Sequence, residues 1–253
     1  MDALLEHTFI HIQGIGKKTE QRLWERGILT WNHFLNYRET IFSPARDKAV
    51  IRELDASIGH RKDVRFFCER LSLGDMWRIF KAFKDSVVYL DIETSGGYYQ
   101  GLDEITVIGL YDGNAVQSFV NGVNLDEFEL SIAKYDLMIT FNGACFDLPF
   151  IRRWFPNICL PPAHIDLRFL LKRLGYQGGL KEIEKVLGIV RHPEINGLDG
   201  YDAVMLWKAY QWGEQSALDR LIQYNTADIV NLKPLMEIAY EKIKTETLSF
   251  VTS

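Results

Sequence analysis

Cysteine is scarce: Cys68, Cys145 and Cys159 are the only three in 253 residues, and they lie far apart. Their odd number and wide spacing argue against a disulfide framework and a zinc-type pair, leaving reduced thiols in a cytosolic protein. Long apolar runs are missing as well. None approaches the ~20 residues of a membrane span, and the acidic start (Met1, Asp2, Glu6) does not resemble a signal peptide. A cytoplasmic protein with no membrane partner is therefore expected. Basic charge is also in deficit. A net charge of −5 excludes a surface coated in cations, although a local patch or bound metals can still serve nucleic acid. No internal repeat or low-complexity segment is present.

What is there divides near Asp85. Residues 8–35 read as two short helices around a Gly-Ile-Gly turn, and 45–84 carry apolar residues at helical spacings in Arg46 to Ile58, Asp63 to Leu71 and Asp75 to Phe83. After Asp85 the pattern turns to strands: Val87–Ile92, Glu104–Tyr111, Ala115–Val120 and Leu137–Phe141. From Pro149 helices dominate, namely Asp166–Leu174, Leu180–Leu187, Asp202–Trp212 and Ser216–Ile243. The expected organisation is a helical unit over 1–85 and a larger α/β domain over 86–253.

Val87–Glu93 is a hydrophobic strand that ends in two acids. Strand side chains alternate, so Asp91 and Glu93 share one face. Inside a sheet two unpaired carboxylates repel each other and call for a counter-charge, for which a divalent cation is suited. Alone, such a pair more often marks a strand that has reached solvent. Asn142-Gly-Ala-Cys-Phe-Asp147 turns from a strand into a helix-like segment, where Asp147 could face a cleft or simply cap the helix. Tyr224 and Asp228, four apart in a helical pattern, share a face.

Taken in order, Asp91, Glu93, Asp147, Tyr224 and Asp228 resemble the acid set of the DEDDy 3′→5′ exonucleases, which have a ribonuclease H-like fold. The family's Asp-x-Glu matches Asp91-Ile-Glu93, its Asn followed by aromatic-Asp matches Asn142 and Phe146-Asp147, and its Tyr-x-x-x-Asp matches Tyr224 and Asp228. Segments 180–188 and 198–207 look like the bacterial YprB-type branch, and the resemblance covers about residues 86–243. It implies a mixed five-stranded sheet flanked by helices, preceded by a small helical domain. It also implies two Mg²⁺ or Mn²⁺ ions, with Asp91 bridging both, Glu93 and Asp228 on the ion beside the attacking water, and Asp147 supporting the other. Hard cations of this kind prefer carboxylate oxygens. Tyr224 would orient the attacking water, because a phenol with a pKa near 10 is a poor free base at neutral pH.

The implied partner is nucleic acid, with single-stranded DNA 3′ ends or frayed ends as the leading substrate. An RNA 3′ exonuclease and a noncatalytic nucleic-acid-binding scaffold are the alternatives. Gly14-Ile-Gly16-Lys17-Lys18 resembles a helix–hairpin–helix turn, whose backbone amides hold a phosphate without reading a base. Thr19 stands where that motif commonly has Ala. Tyr98 and Tyr99, in the loop after the acid strand, could stack on a terminal base, and Asn142 could contact the strand. Asp199 and Asp202 read as turn or cap residues. His7 and His11 read as a surface pair, and His164 as a packed residue ahead of an N-cap Asp166.

Overall fold

The computed structural model of the chain describes residues 4–96, 103–195 and 197–249. Tyr98 and Tyr99 lie outside the described residues. Packing separates two units, one of residues up to Asp85 together with those from Tyr240 onward, the other Ser86–Ala239.

In the first unit four helices follow one another: α1 (Lys17–Glu25), α2 (Trp31–Leu35), α3 (Pro44–Gly59) and α4 (Val64–Cys68). The last three begin at Thr30, Ser43 and Asp63, whose side chains each accept an amide of the first turn, as good N-caps do. The helix expected ahead of the Gly-Ile-Gly turn does not form. Leu4–His7 is one 3₁₀ turn, followed by successive tight turns in which Thr8 N donates to Leu5 O and Ile12 N to Phe9 O. The Glu20 carboxylate fixes these turns by accepting from Phe9 N (2.6 Å) and Ile10 N (3.2 Å). Arg78 neutralises Glu20 through two contacts of 3.0 and 2.8 Å, and both side chains are buried. The expected helix over Asp75–Phe83 is instead the 3₁₀ segment Leu73–Ile79, which brings Arg78 to Glu20. His11 is not a surface residue either. It is buried, its Nε2 is 2.9 Å from Ser57 Oγ, and burial lowers its pKa to about 4, so it is a neutral core group.

The second unit is built on a five-stranded sheet of order β3-β2-β1-β4-β5, comprising β1 (Val87–Thr94), β2 (Ile105–Tyr111), β3 (Val116–Val120), β4 (Leu137–Thr140) and β5 (Ala163–Asp166). β1–β2 and β2–β3 are antiparallel; β1–β4 and β4–β5 are parallel. The sheet is thus mixed, as the resemblance implies. Its helices are α5 (Phe128–Ile132), α6 (Asp147–Trp154), α7 (Leu167–Arg173), α8 (Leu180–Val186), α9 (Gly200–Gln211) and, as far as Ala239, α10 (Gln215–Leu248). Alternation along β1 and β2 splits the core. Val88, Leu90, Ile92 and Ile108 pack with α5 and α6 on one face. Val107 packs with Ala203, Trp207, Leu221 and Tyr224 of α9 and α10 on the other. Asp91 and Glu93 point to this second face. Among the described residues no helix is long and apolar enough to cross a membrane.

Candidate active site

β1 is a central strand, so its acidic end lies within the sheet and not at an edge. In the antiparallel register Asp91 faces Gly109 and Glu93 faces Val107. Gly109 is needed for space: a Cβ there would stand 2.0 Å from Asn225 Oδ1. Its absence lets α10 lie directly on the strands, and Asn225 Nδ2 donates to Asp91 Oδ2 (3.0 Å) and to Asp91 O (3.3 Å). With α10 fixed this way, Asp228, one turn beyond Tyr224, reaches the same spot. One carboxylate oxygen each from Asp91, Glu93 and Asp228 lies within 4.8 Å of the others. Asp147, buried at the start of α6, stands outside that compact triad but accepts the amide of Ile92, between the two strand acids, at 3.0 Å.

The turn carrying Asp147 is held by its neighbours. Asn142 has φ +66°, the only non-glycine residue with positive φ among those described. Its amide and that of Ala144 donate to the Asp166 carboxylate (2.8 and 3.1 Å), which also accepts Arg168 N at the start of α7. A Cβ on Gly143 would sit 2.2 Å from Thr140 Oγ1, so glycine is required. His164 packs as expected, its Nε2 2.8 Å from Thr140 Oγ1. Asp199 and Asp202 form a reciprocal cap on α9.

Four carboxylates this close cannot all ionise cheaply. Burial, then repulsion from Asp147, Asp228 and Glu93, drives Asp91 well above the usual carboxylate range. Glu93 is raised likewise, by burial and then Asp228. Burial lifts Asp147 to about 7 and Asp228 to about 6, the latter opposed by Arg191. Glu93 is only 8% exposed, and its Oε1 has no hydrogen-bond partner among the described residues. An unpaired buried oxygen in a set of hard oxygen donors fits a divalent cation. Burial also raises the Tyr224 phenol, reinforced by Asp228, which keeps it protonated at neutral pH.

These shifts set a pH dependence. Folded-state carboxyl pKa values above the unfolded value near 4 mean that protonation favours the fold. Their stability is fully present below about pH 4 and is lost as pH rises through the 6–7 of Asp228 and Asp147. The melting temperature of EDTA-treated protein should therefore fall between pH 5 and 8. Mn²⁺ should reverse the loss, by an amount that grows with pH. Thermal melts across that range, with and without Mn²⁺, check this; a metal-induced shift independent of pH would contradict it.

Other members of the site were not singled out in the sequence. Arg191 reaches Asp228 Oδ1 at 2.5 Å while Glu184 holds its other nitrogens at 2.5 and 2.7 Å. Lys181 Nζ donates to Tyr224 Oη at 2.7 Å and to the carbonyl of Leu198. Both lie in or just after the Leu180–Gly188 segment, whose charges were legible but whose targets were not. Asn142 is brought to the site's edge, but its Oδ1 accepts from Arg168 Nη1 at 2.5 Å. Gly14, Gly16, Lys17 and Lys18 belong to the first unit, where Gly16 caps α1 and Lys17 pairs with Asp75 at 2.8 Å.

The family profile RNase_H_2, described as RNase_H superfamily, matches residues 88–240. No curated protein matches the chain. Among solved structures it is similar to the family B DNA polymerase of the archaeon Pyrobaculum calidifontis, with a TM-score of 0.50 and 14% identity over 60% of this chain. That match spans only 24% of the polymerase. Brucella melitensis NrnC is similar at TM-score 0.45 and 18% identity, covering 68% of this chain and 83% of NrnC. Escherichia coli RNase D gives 0.40 and 16%, covering 71% and 48%. At 14% identity the likeness to the polymerase concerns the fold alone.

Proposed function

Because the chain belongs to the RNase H superfamily, we propose that it is a metal-dependent 3′→5′ exonuclease of the DEDDy type. Its substrate would be single-stranded DNA or frayed DNA ends, degraded to nucleoside 5′-monophosphates. The observation that carries this reading is the convergence of Asp91, Glu93 and Asp228 oxygens within 4.8 Å around an unpartnered, buried Glu93 Oε1. Such a set repels itself unless cations fill it. When bound, two Mg²⁺ or Mn²⁺ ions would supply Lewis acidity at the phosphodiester and ease deprotonation of the attacking water. Asp91, Glu93 and Asp228 would hold them, with Asp147 contributing from beside Ile92.

The protein's own groups do the orienting. Tyr224 accepts from Lys181, which leaves the phenol proton to be given to an oxygen in the recess. A protonated tyrosine positions a water and does not deprotonate it. Tyr224→Phe should therefore lower the saturating single-turnover rate about 10- to 100-fold while the concentration giving half that rate changes less than about threefold. An unchanged rate would remove this role. In the first unit, Gly14 and Gly16 with Lys17 and Lys18 would add a grip on the phosphate backbone that does not read sequence.

A product ladder from 5′-labelled single-stranded DNA and RNA, with and without Mn²⁺, tests activity, polarity and sugar preference together. Stepwise shortening with release of mononucleotides supports the proposal. Strand binding without any shortening would instead favour the noncatalytic scaffold.

A further inference from the structure

Two cavities open side by side in the second unit and share Phe141 and Gly179 as walls. The smaller, about 270 Å³, is the acid recess with Asp91, Tyr224 and Asp228. The larger, about 840 Å³, runs on from it along α7 and carries Arg168, Phe169 and Lys172. A strand terminus needs only a small recess. The strand behind it brings a phosphate with every nucleotide and needs length and cations.

The larger cavity has the composition for that. Leu167, Leu170 and Leu171 bury one side of α7, whereas Phe169 is 53% exposed and lines the cavity. Folding does not call for an aromatic ring there. Arg168 and Lys172, four apart, stand one turn apart on the same helix and also line it. Exposed rings offer stacking to any unpaired base, while arginine and lysine hold the backbone, and a duplex hides the base faces that stacking requires. Arg168 is also preset. Its Nη1 is held 2.5 Å from the Oδ1 of Asn142, a residue kept at positive φ with its amide tied to Asp166. Arg168 is thus held beside the acid recess by a residue whose own backbone is fixed, and Asn142 acts through Arg168.

We propose that this cavity seats the substrate strand behind its terminus, making the protein selective for single strands longer than a dinucleotide. Phe169 stacks on a base, and Arg168 and Lys172 hold phosphates. The assignment of the 3′ end to the acid recess rests on the exonuclease reading; the seat itself does not.

The test compares a 5′-fluorescein decanucleotide with a labelled dinucleotide, as DNA and as RNA, by anisotropy in EDTA. Wild-type protein should bind the decanucleotide at least about tenfold more tightly, and duplex should compete poorly. The double variant Phe169→Ala/Lys172→Ala, changed only at exposed positions, should lose about tenfold or more of that length preference. Equal affinity for both lengths in wild type, or a variant that keeps the preference, overturns the proposal. The DNA and RNA arms report which sugar the seat accepts. Length-selective binding abolished by the variant, with no product ladder in Mn²⁺, would sink the nuclease reading and leave the seat standing. A ladder without length preference would do the reverse.

Discussion

Asp91→Asn should abolish metal-dependent hydrolysis, by at least about 10³-fold in kcat/KM, which corresponds to about 4 kcal/mol of lost transition-state stabilisation. The same substitution should make the metal-free protein more stable toward alkaline pH, where ionising Asp91 among its neighbours costs most. Asp91 stands among Glu93, Asp147 and Asp228, all of which raise its pKa once burial has done so. An amide of the same shape removes one partner from each repulsion, and its oxygen can still accept from Asn225 Nδ2, as Asp91 Oδ2 does at 3.0 Å. If the relief amounts to about 1 kcal/mol, the melting temperature in EDTA at alkaline pH rises by about 2–4 °C, and the gain shrinks as pH falls. The two readouts move in opposite directions, which separates a site residue from a structural one, since a merely structural carboxylate would lose stability along with activity. Mn²⁺ titration followed by melting completes the test. A variant that still gains wild-type stability from Mn²⁺, or keeps activity within tenfold, would show that Asp91 does not hold the metal.

The parts of this site that were legible in the sequence are those written in local periodicity. Two-residue spacing placed Asp91 and Glu93 on one face of β1, and four-residue spacing placed Tyr224 and Asp228 on one face of α10. What stayed hidden depends on partners remote along the chain. Asn225 lies 134 positions from Asp91, and no spacing rule connects them. The need for glycine at position 109 exists only because Asn225 arrives there. β5 was missed because Ala163–Asp166, directly after Pro161 and Pro162, is too short at four residues to show alternation and is defined by its parallel pairing with β4. In the first unit the reading failed for a related reason. Residues before Gly14 have helical spacing, but the segment is too short to hold a helix by its own bonds and lies instead in turns whose Phe9 and Ile10 amides are taken by Glu20. That partner, remote along the chain, is invisible to periodicity.

Arg191 is the group whose removal should cost the fold most at this site. Its side chain is 5% exposed and stands between two acids, held by Glu184 and 2.5 Å from Asp228 Oδ1. Glu184 has one further partner at hand, Asn231 Nδ2 at 3.1 Å. Arg191→Met keeps the apolar stem but leaves Glu184 buried without a counter-charge and Asp228 with only Lys181, which should destabilise metal-free protein by about 3–5 kcal/mol. Changing Glu184→Gln in the same chain removes one stranded charge and should recover a substantial part of that loss. Metal should respond in the opposite sense. Without Arg191 beside Oδ1, Asp228 presents that oxygen to a cation as well, and the cation becomes its principal counter-charge. Stabilisation by Mn²⁺ should then exceed that of wild type. Urea unfolding of the three proteins, with EDTA and with Mn²⁺, reads all of this. A loss below about 1 kcal/mol in Arg191→Met would mean that Glu184 and Asp228 find other partners, and that Arg191 is not what keeps Asp228 charged while the site awaits its metal.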